Sequence, residues 1–329
     1  MTIKENIPLA PLTTFKIGGP ARYFSEAGSG EEIIEALEFA REKSLPVFVM
    51  GGGSNILVSD KGFEGLVIKI QSTSYKIHDT NIECGAGCQL STIVRESIKS
   101  GLTGLEWAAG IPGTIGGAVR GNAGAYGGTM ADSVESVRVV EIPIAKSQAS
   151  NKFSIFNFQF SKKSEFQISN FKNKDCKFSY RDSIFKRNPN LIILSVKLGL
   201  QKGSREESEK RIKEIISKRR EKQPADFPSA GSFFKNPSVK KADLLRIFES
   251  DTGMEARGGK IPAGYLIDGA GMRGKKIGGA MVSEKHANFI VNTGGATAEN
   301  VMMLAAIIKT RVRNRFDIQL QEEVQMVGF

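Results

Sequence analysis

Residues 104–128 read GLEWAAGIPGTIGGAVRGNAGAYGG, and the fold turns on what this stretch is for. It holds nine of the chain's 36 glycines. Such density requires either many positive-φ turns or a close approach of backbone to a ligand. The plain alternative is a tightly packed glycine-rich crossing of elements. The stretch follows a helix expected over Gln89–Ser100, in which Leu90, Ile93, Val94 and Ile98 recur at helical spacing and Gly101 is the C-cap. Upstream, the apolar strand Pro46-Val-Phe-Val-Met50 runs straight into Gly51-Gly52-Gly53-Ser54-Asn55. Successive backbone N–H groups in such a turn can converge on a pyrophosphate. No Gly-Lys-Ser/Thr follows, so it is not a Walker A loop, and it is not GxGxxG, so a Rossmann dinucleotide site is not indicated. Alone it is equally well an ordinary tight turn. Two glycine loops in separate βα blocks are what a large, flat, phosphorylated cofactor needs.

Outward from these loops the periodicities alternate between strand and helix. Ala21–Ala27 is short and mixed. Glu31–Lys43 carries Ile33, Ile34, Leu37 and Ala40 at helical spacing, and Leu66–Ile70 is a second strand, giving a βαβ-like unit. Residues 143–176 are polar and dotted with phenylalanines, and the alternation over Phe153–Phe160 reads as an irregular hairpin. Residues 191–200 form a strand. Ser204-Arg-Glu-Glu207 is a capping box opening a charged helix to about Lys222, stopped by Pro224 and Pro228. Beyond 225 a third unit is expected. It has a helix near Lys241–Ser250, a strand at Ala287–Val291, a helix over Thr297–Asn314 with Val301, Leu304, Ala305, Ile308 and Val312 on one face, and a closing strand at Ile318–Val327. There is no internal repeat.

Composition narrows the function. At 329 residues and about 150 residues per domain the chain holds two or three domains. Its longest apolar run, Val301–Ile308, is far short of the roughly 18–20 residues needed to cross a bilayer. The first residues lack a secretory pattern, so a cytosolic protein is expected. Three cysteines, Cys84, Cys88 and Cys176, argue against a disulfide scaffold, and with only His78 and His286 no zinc site can be assembled. Redox chemistry through an organic cofactor therefore moves up, because a cofactor carries its own reactivity. The net charge of +11 is spread along the chain without a basic run, which gives weak support to nucleic-acid binding.

Three smaller stretches hold chemically useful residues: Ser179-Tyr180-Arg181-Asp182-Ser183 before a strand, a serine in the turn Ser229–Pro237, and Glu322-Glu323 on the last strand. Individually each is more often structural than catalytic. Their order and wording together change that. The chain resembles the MurB family of UDP-N-acetylenolpyruvoylglucosamine reductases of peptidoglycan precursor synthesis. The matching pieces are Thr13–Ala21 (TTFKIGGPA), Gly51–Asp60 (GGGSNILVSD), Ala109–Gly127, SYRDS at Ser179–Ser183, Pro228–Pro237 (PSAGSFFKNP), Lys260–Asp268 (KIPAGYLID), Gly278–Asn292 and Leu320–Gly328 (LQEEVQMVG). They run in family order over almost the whole chain.

The resemblance implies an α+β protein. It would have an FAD-binding fold of the vanillyl-alcohol-oxidase/PCMH type, in subdomains 1–72 and 73–202, and a C-terminal substrate-binding domain 203–329. FAD would be non-covalent, which agrees with the absence of histidine from both glycine loops. Gly51, Gly52, Gly53, Ser54 and Asn55 would hold the pyrophosphate. Ala109, Gly110, Ile111, Pro112, Gly113, Thr114, Gly116, Gly117, Asn122, Ala123, Gly124 and Ala125 would line the rest. NADPH would be co-substrate, and the enolpyruvyl ether of UDP-N-acetylglucosamine the substrate, handled by a cytoplasmic monomer without nucleic-acid or membrane partners. Position by position, Arg181 and Glu323 would stabilise an enolic intermediate and Ser232 would protonate carbon. Glu323 helps only when protonated, so its pKa is expected to be raised by burial. Tyr180, Lys222, Lys235 and Asn236 are the expected substrate contacts, although Lys222 reads equally as a solvated helix-end cation. There is little room between Arg181 and Ser232 for the tyrosine-bearing lid of one branch of the family. His286 reads as a packing residue. The competing readings are an alcohol or aldonolactone oxidase of the same fold and a colourless nucleotide- or nucleic-acid-binding module.

Overall fold

The computed structural model describes residues 1–142 and 166–329; the expected hairpin at Phe153–Phe160 lies outside the described residues. The chain divides into two compact units. The first comprises residues 1–7, 20–53 and 63–219, and the second residues 8–19, 54–62 and 220–329.

In the first unit a four-stranded sheet runs in the order Lys4–Pro8, Pro20–Ala27, Phe63–Ile70, Val47–Met50. Pro20–Ala27 and Val47–Met50 both pair in parallel with Phe63–Ile70, so the βαβ crossover brackets a third strand that comes later in the chain. The crossover helix is Gly30–Glu42. It starts where the Ser29 hydroxyl accepts the Glu32 N–H at 3.2 Å, carries Glu31 and Glu32 at its positive end, and buries Ile33, Ala36, Leu37 and Ala40. A five-stranded antiparallel sheet follows the order Gln167–Lys172, Val134–Glu141, Leu191–Gly199, Asn81–Gly85, Tyr75–His78. Both sheets, the crossover helix and the helix Leu90–Lys99 feed one continuous core that includes Leu66, Ile68, Ile93, Val137, Val139 and Ile192.

The second unit has its own core and a four-stranded antiparallel sheet, Ser229–Ser232, Phe289–Asn292, Ala280–Val282, Lys276–Ile277. Its long helix, Ala298–Phe316, buries the expected face of Val301, Leu304, Ala305, Ile308 and Val312. That helix opens on a Thr297–Asn300 capping box and ends at Asp317 in left-handed geometry. The Asp60 carboxylate also accepts the N–H groups of Ala298 (2.8 Å) and Glu299 (3.0 Å).

Several local expectations need correcting. The closing strand is only Gln325–Val327, parallel to Ile56–Val58. Gln321, Glu322 and Glu323 make isolated bonds to Lys235, Phe234 and Phe233 instead of a ladder. Ser232 ends a short strand rather than sitting in a loop, because Gly231 (φ +79°) absorbs the turn as a bulge in which one extra residue separates the Ser229–Val291 and Ser232–Phe289 pairs. The SYRDS stretch precedes a one-turn helix, Ile184–Arg187, before the strand begins at Leu191. Among the described residues no helix is long and apolar enough to cross a membrane, and no group of three or more His, Cys, Asp or Glu could hold a metal ion.

Candidate functional site

In the first unit the two glycine loops lie against each other. A Cβ added at Gly51 would overlap the Thr114 hydroxyl, and one at Gly52 would stand 2.9 Å from the Gly113 Cα. Backbone cannot step aside as a side-chain tip can, so Gly52 is required by close approach. Thr114 caps the helix Ile115–Arg120, its hydroxyl accepting the Gly117 N–H at 3.3 Å. The Ile115 and Gly116 N–H groups bond Cys88 O and Ala86 O at 2.8 and 2.9 Å, fixing this loop to the turn that follows the strand Asn81–Gly85. Gly110, Pro112 and Gly117 remain exposed along the resulting cradle.

Two further arginines of this unit, Arg219 and Arg120, are not among the expected site residues. Arg219 lies on Gly110: a Cβ there would come within 3.2 Å of Arg219 Cδ and Nε. Burial holds the Arg219 pKa below its ordinary value, although the nearby Tyr126 works the other way. A signal existed. Ser208, Ile212, Ile215 and Arg219 form the inward stripe of the helix Arg205–Lys222, so Arg219 stands where an apolar residue is due. The second is Arg120, whose pKa burial pushes down to about 10 against the opposing pull of Asp182. It lies inside the glycine-rich stretch 104–128, but no periodicity there singles out an arginine for burial. Glu106, buried at 2% exposure, ties the same region together. It accepts from Thr103 Oγ1 (2.7 Å), Gly104 N (2.9 Å) and Ser208 Oγ (2.6 Å). Burial alone would raise its pKa, but these bonds outweigh it and hold the carboxyl below its ordinary value.

Arg181 sits at the tip of a tight turn. Ser179 and Asp182 exchange N–H···O bonds of 3.0 and 3.1 Å, and Arg181 has φ +56°, a strained left-handed conformation for a non-glycine residue. The turn is held from several sides. The Asn122 amide donates to Ser179 O (2.9 Å) and accepts the Ala131 N–H (3.0 Å), so this expected cofactor residue ties the glycine stretch to the turn. Lys186 Nζ donates to Arg181 O at 3.0 Å, and Asp182 pairs with Arg187 at 3.1 Å. A Cβ at Gly124 would come within 3.4 Å of Arg181 Nη1. Tyr180 is exposed, with the Arg181 guanidinium 5.5 Å from its ring centroid.

The second unit holds the other expected residues. Ser232 and Glu323 are brought together through Phe233, whose carbonyl accepts the Glu323 N–H at 2.8 Å. Phe234 bridges Glu322, and Lys235 N donates to Gln321 O at 2.9 Å. Asn55 Nδ2 donates to Glu323 O at 3.3 Å. The Glu322 carboxylate pairs with Lys309 at 2.9 Å. Asn236 Oδ1 accepts the Ala263 N–H at 3.0 Å and so helps to open the helix Ala263–Gly269. Lys222 is exposed at the end of its helix. His286 packs as expected, 4.9 Å from the Phe289 ring centroid, and burial and Arg273 lower its pKa. Gly51–Gly53 and Arg181 thus belong to the first unit, and Ser54, Asn55, Ser232, Lys235, Asn236 and Glu323 to the second.

Two family models match the chain, and the first of them spans residues 54–62 as well, although these pack in the second unit. Residues 21–143 match the family model of an FAD binding domain, and residues 223–327 match that of the C-terminal domain of UDP-N-acetylenolpyruvoylglucosamine reductase. The chain is 39% identical to the UDP-N-acetylenolpyruvoylglucosamine reductase of Caldanaerobacter subterraneus, across 98% of this chain and 93% of the relative. It is 38% identical to that of Heliobacterium modesticaldum, across 98% and 89%. The crystal structure of UDP-N-acetylenolpyruvylglucosamine reductase from Thermus caldophilus superposes with a TM-score of 0.73 at 32% identity, covering 99% of this chain and all of that one.

Proposed function

Since the chain belongs to the UDP-N-acetylenolpyruvoylglucosamine reductase (MurB) family, an FAD-dependent oxidoreductase family with a PCMH-type flavin fold and its own C-terminal domain, we propose that it reduces the enolpyruvyl ether of UDP-N-acetylglucosamine to UDP-N-acetylmuramate with NADPH. The overall change adds a hydride to the terminal vinyl carbon and a proton to the ether-bearing carbon. FAD, when bound, supplies the hydride it has taken from NADPH.

What supports the flavin reading is the cradle. Its close backbone approach at Gly52–Gly113, its exposed edge along Gly110–Gly117 and the half-buried Arg219 offer N–H donors and a cation, the donor set that a pyrophosphate takes. Gly51, Gly52, Gly53, Ser54 and Asn55 would hold the pyrophosphate, and residues 109–117 and 122–125 the rest.

The protein's part in the chemistry is electrostatic and protic. As hydride arrives, negative charge gathers on the substrate carboxylate, and the Arg181 guanidinium stabilises it; a donor of this kind at a developing oxyanion is worth about 3–4 kcal/mol. Glu323 assists when it carries a proton and donates it in a hydrogen bond, because a bare carboxylate would oppose the charge. Ser232 delivers the proton to carbon. A hydroxyl is a weak acid, and only a carbon as basic as that of an enolate makes it useful. Tyr180, Lys222, Lys235 and Asn236 supply cations and polar groups for the diphosphate and carboxylate. We read the enzyme as a cytoplasmic monomer acting on small molecules.

The observation that carries this reading is the backbone pairing that sets Ser232 and Glu323 on either side of Phe233, in a chain whose family model covers both. The test is Ser232→Ala in stopped-flow absorbance. Flavin bleaching by NADPH stays near the wild-type rate, while anaerobic recolouring by the enolpyruvyl sugar nucleotide is abolished. Equal loss of both phases overturns the role.

A further inference from the structure

Ser232 is followed by a piece of backbone whose every hydrogen bond leads to one of two places, and one side chain makes two of them. The Phe233 N–H donates to Asn288 O at 2.7 Å. The Phe234 N–H donates to Asn288 Oδ1 at 3.0 Å, and Asn288 Nδ2 donates back to Phe234 O at 2.8 Å. On the other side the Phe233 carbonyl accepts the Glu323 N–H and the Lys235 N–H donates to Gln321 O. The Asn288 amide therefore does for Phe234 what a paired strand residue would do: one acceptor and one donor in a ladder-like fork.

This fork stands at the point where the ladder fails. Pairing between Ser229–Ser232 and Phe289–Asn292 is broken by the bulge at Gly231, and regular pairing stops at Ser232–Phe289. A bulge re-aims the residue that follows it and leaves its register weakly specified unless something fixes the chain beyond. Asn288 is that fixture. It is 3% exposed, and its own N–H is accepted by His286 Nδ1 at 3.2 Å. The rings of Phe233 and Phe234 are 1% exposed and pack edge to face at 5.1 Å.

We propose that Asn288 is a positioning residue for proton delivery: by clamping both backbone groups of Phe234, two residues past Ser232, with its side-chain amide, it sets the Ser232 hydroxyl against the carbon to be protonated and keeps Glu323 in register with it. The inference rests on the reading of Ser232 as the proton donor. The protonated carbon becomes a stereocentre. A well-placed hydroxyl delivers to one face, whereas water reaching a mispositioned site delivers to either.

The test compares Asn288→Ala, Asn288→Asp and Ser232→Ala with the wild-type holoenzyme. In Asn288→Ala, turnover of the enolpyruvyl sugar nucleotide falls about 30–100-fold, the size expected for a misplacement near 1 Å. Flavin reduction by NADPH stays within about twofold. Product made in D2O carries deuterium in both configurations at the new centre, and amide exchange of the peptide spanning residues 230–236 rises. Asn288→Asp keeps the acceptor for the Phe234 N–H but sets an oxygen instead of a donor against the Phe234 carbonyl, so it shows the same directions of change and serves alone if Asn288→Ala does not fold. A single configuration with a rate within threefold of wild type, or equal loss of both half-reactions, overturns the proposal. Should Ser232→Ala turn over normally, the proton-donor reading itself falls. If Ser232→Ala is dead while both Asn288 variants behave as wild type, only the clamp falls.

Discussion

Gly52→Ala asks whether the two glycine loops approach as closely as the structure draws them. A Cβ at this position lies 2.9 Å from the Gly113 Cα and 3.4 Å from its carbonyl carbon. Carbon atoms pack best at about 3.5–4.0 Å, so the backbones must part by about half an ångström or more. Overpacking of this kind costs about 1–3 kcal/mol. If that cost falls on the flavin-bound state, flavin affinity drops about 5- to 150-fold, at tenfold per 1.4 kcal/mol. The control is Gly127→Ala. Gly127 has φ +86° with nothing within 4 Å of an added Cβ, so it carries backbone strain of about 1–2 kcal/mol without overlap. Titration of apoprotein with FAD, followed by quenching of flavin fluorescence, reads the affinity, and thermal unfolding reads the stability. Gly52→Ala loses flavin affinity, while Gly127→Ala loses stability with affinity within about threefold of wild type. Unchanged affinity and melting in Gly52→Ala would refute the close approach; equal loss of affinity in both would assign the effect to strain.

Other perturbations read other parts of the structure. Glu106→Ala removes the acceptor of three donors, of which Ser208 Oγ is left in a buried place, and costs about 1–3 kcal/mol in urea unfolding, with Glu106→Gln losing less. Because the Glu106 pKa is lowered in the folded state, its stabilisation is full above the ordinary carboxyl pKa and disappears as pH falls through the lower folded value, so the wild-type and Glu106→Gln unfolding curves converge in acid. Asp60→Ala removes the carboxylate that accepts from Ala298 and Glu299 and lowers stability by about 1–2 kcal/mol without changing the visible flavin spectrum. His286 is held neutral by burial and Arg273. The unfolded chain therefore binds its proton first, and stability falls as pH drops below about 6.5. His286→Gln flattens that segment of the pH–stability curve, and an unchanged slope would place its origin elsewhere.

Helices were legible where one face is apolar and the ends carry caps. Gly30–Glu42 and Ala298–Phe316 fall within two residues of their periodicities because Ser29 and Thr297 stop them at one end, and Asp317 reverses the chain at the other. Residues 318–327 show what periodicity does not carry. Ile318 and Leu320 alternate with exposed neighbours as a strand would, and Val327 is buried too. Yet the segment changes partner midway. Gln321, Glu322 and Glu323 bond Lys235, Phe234 and Phe233, and then Gln325 bonds Asn55 and the chain runs beside Ile56–Val58. Alternation reports which side chains point inward. It is silent on which backbone takes up the outstanding N–H and C=O groups, and only a continuous partner makes a strand.

The same distinction governs the site. Residues whose type declares a chemistry, such as Arg181, Ser232 and Glu323, can be proposed from wording alone. Those that hold them declare nothing, because an asparagine that forks onto a peptide and one that faces water are the same letter. Asn122 and Asn288 both use a side-chain amide to replace missing backbone partners, one beside the turn that carries Arg181 and the other beside the bulge that carries Ser232. In each case the local backbone is irregular, with φ +56° at Arg181 and φ +79° at Gly231. An irregular backbone leaves polar groups that secondary structure would have satisfied, and in a buried setting each must find a partner or cost about 1–3 kcal/mol. A residue held at an unusual angle for its chemistry therefore calls for a nearby amide able to give and accept at once. Such pairs of irregular turn and bidentate amide mark where a fold has been bent toward a task.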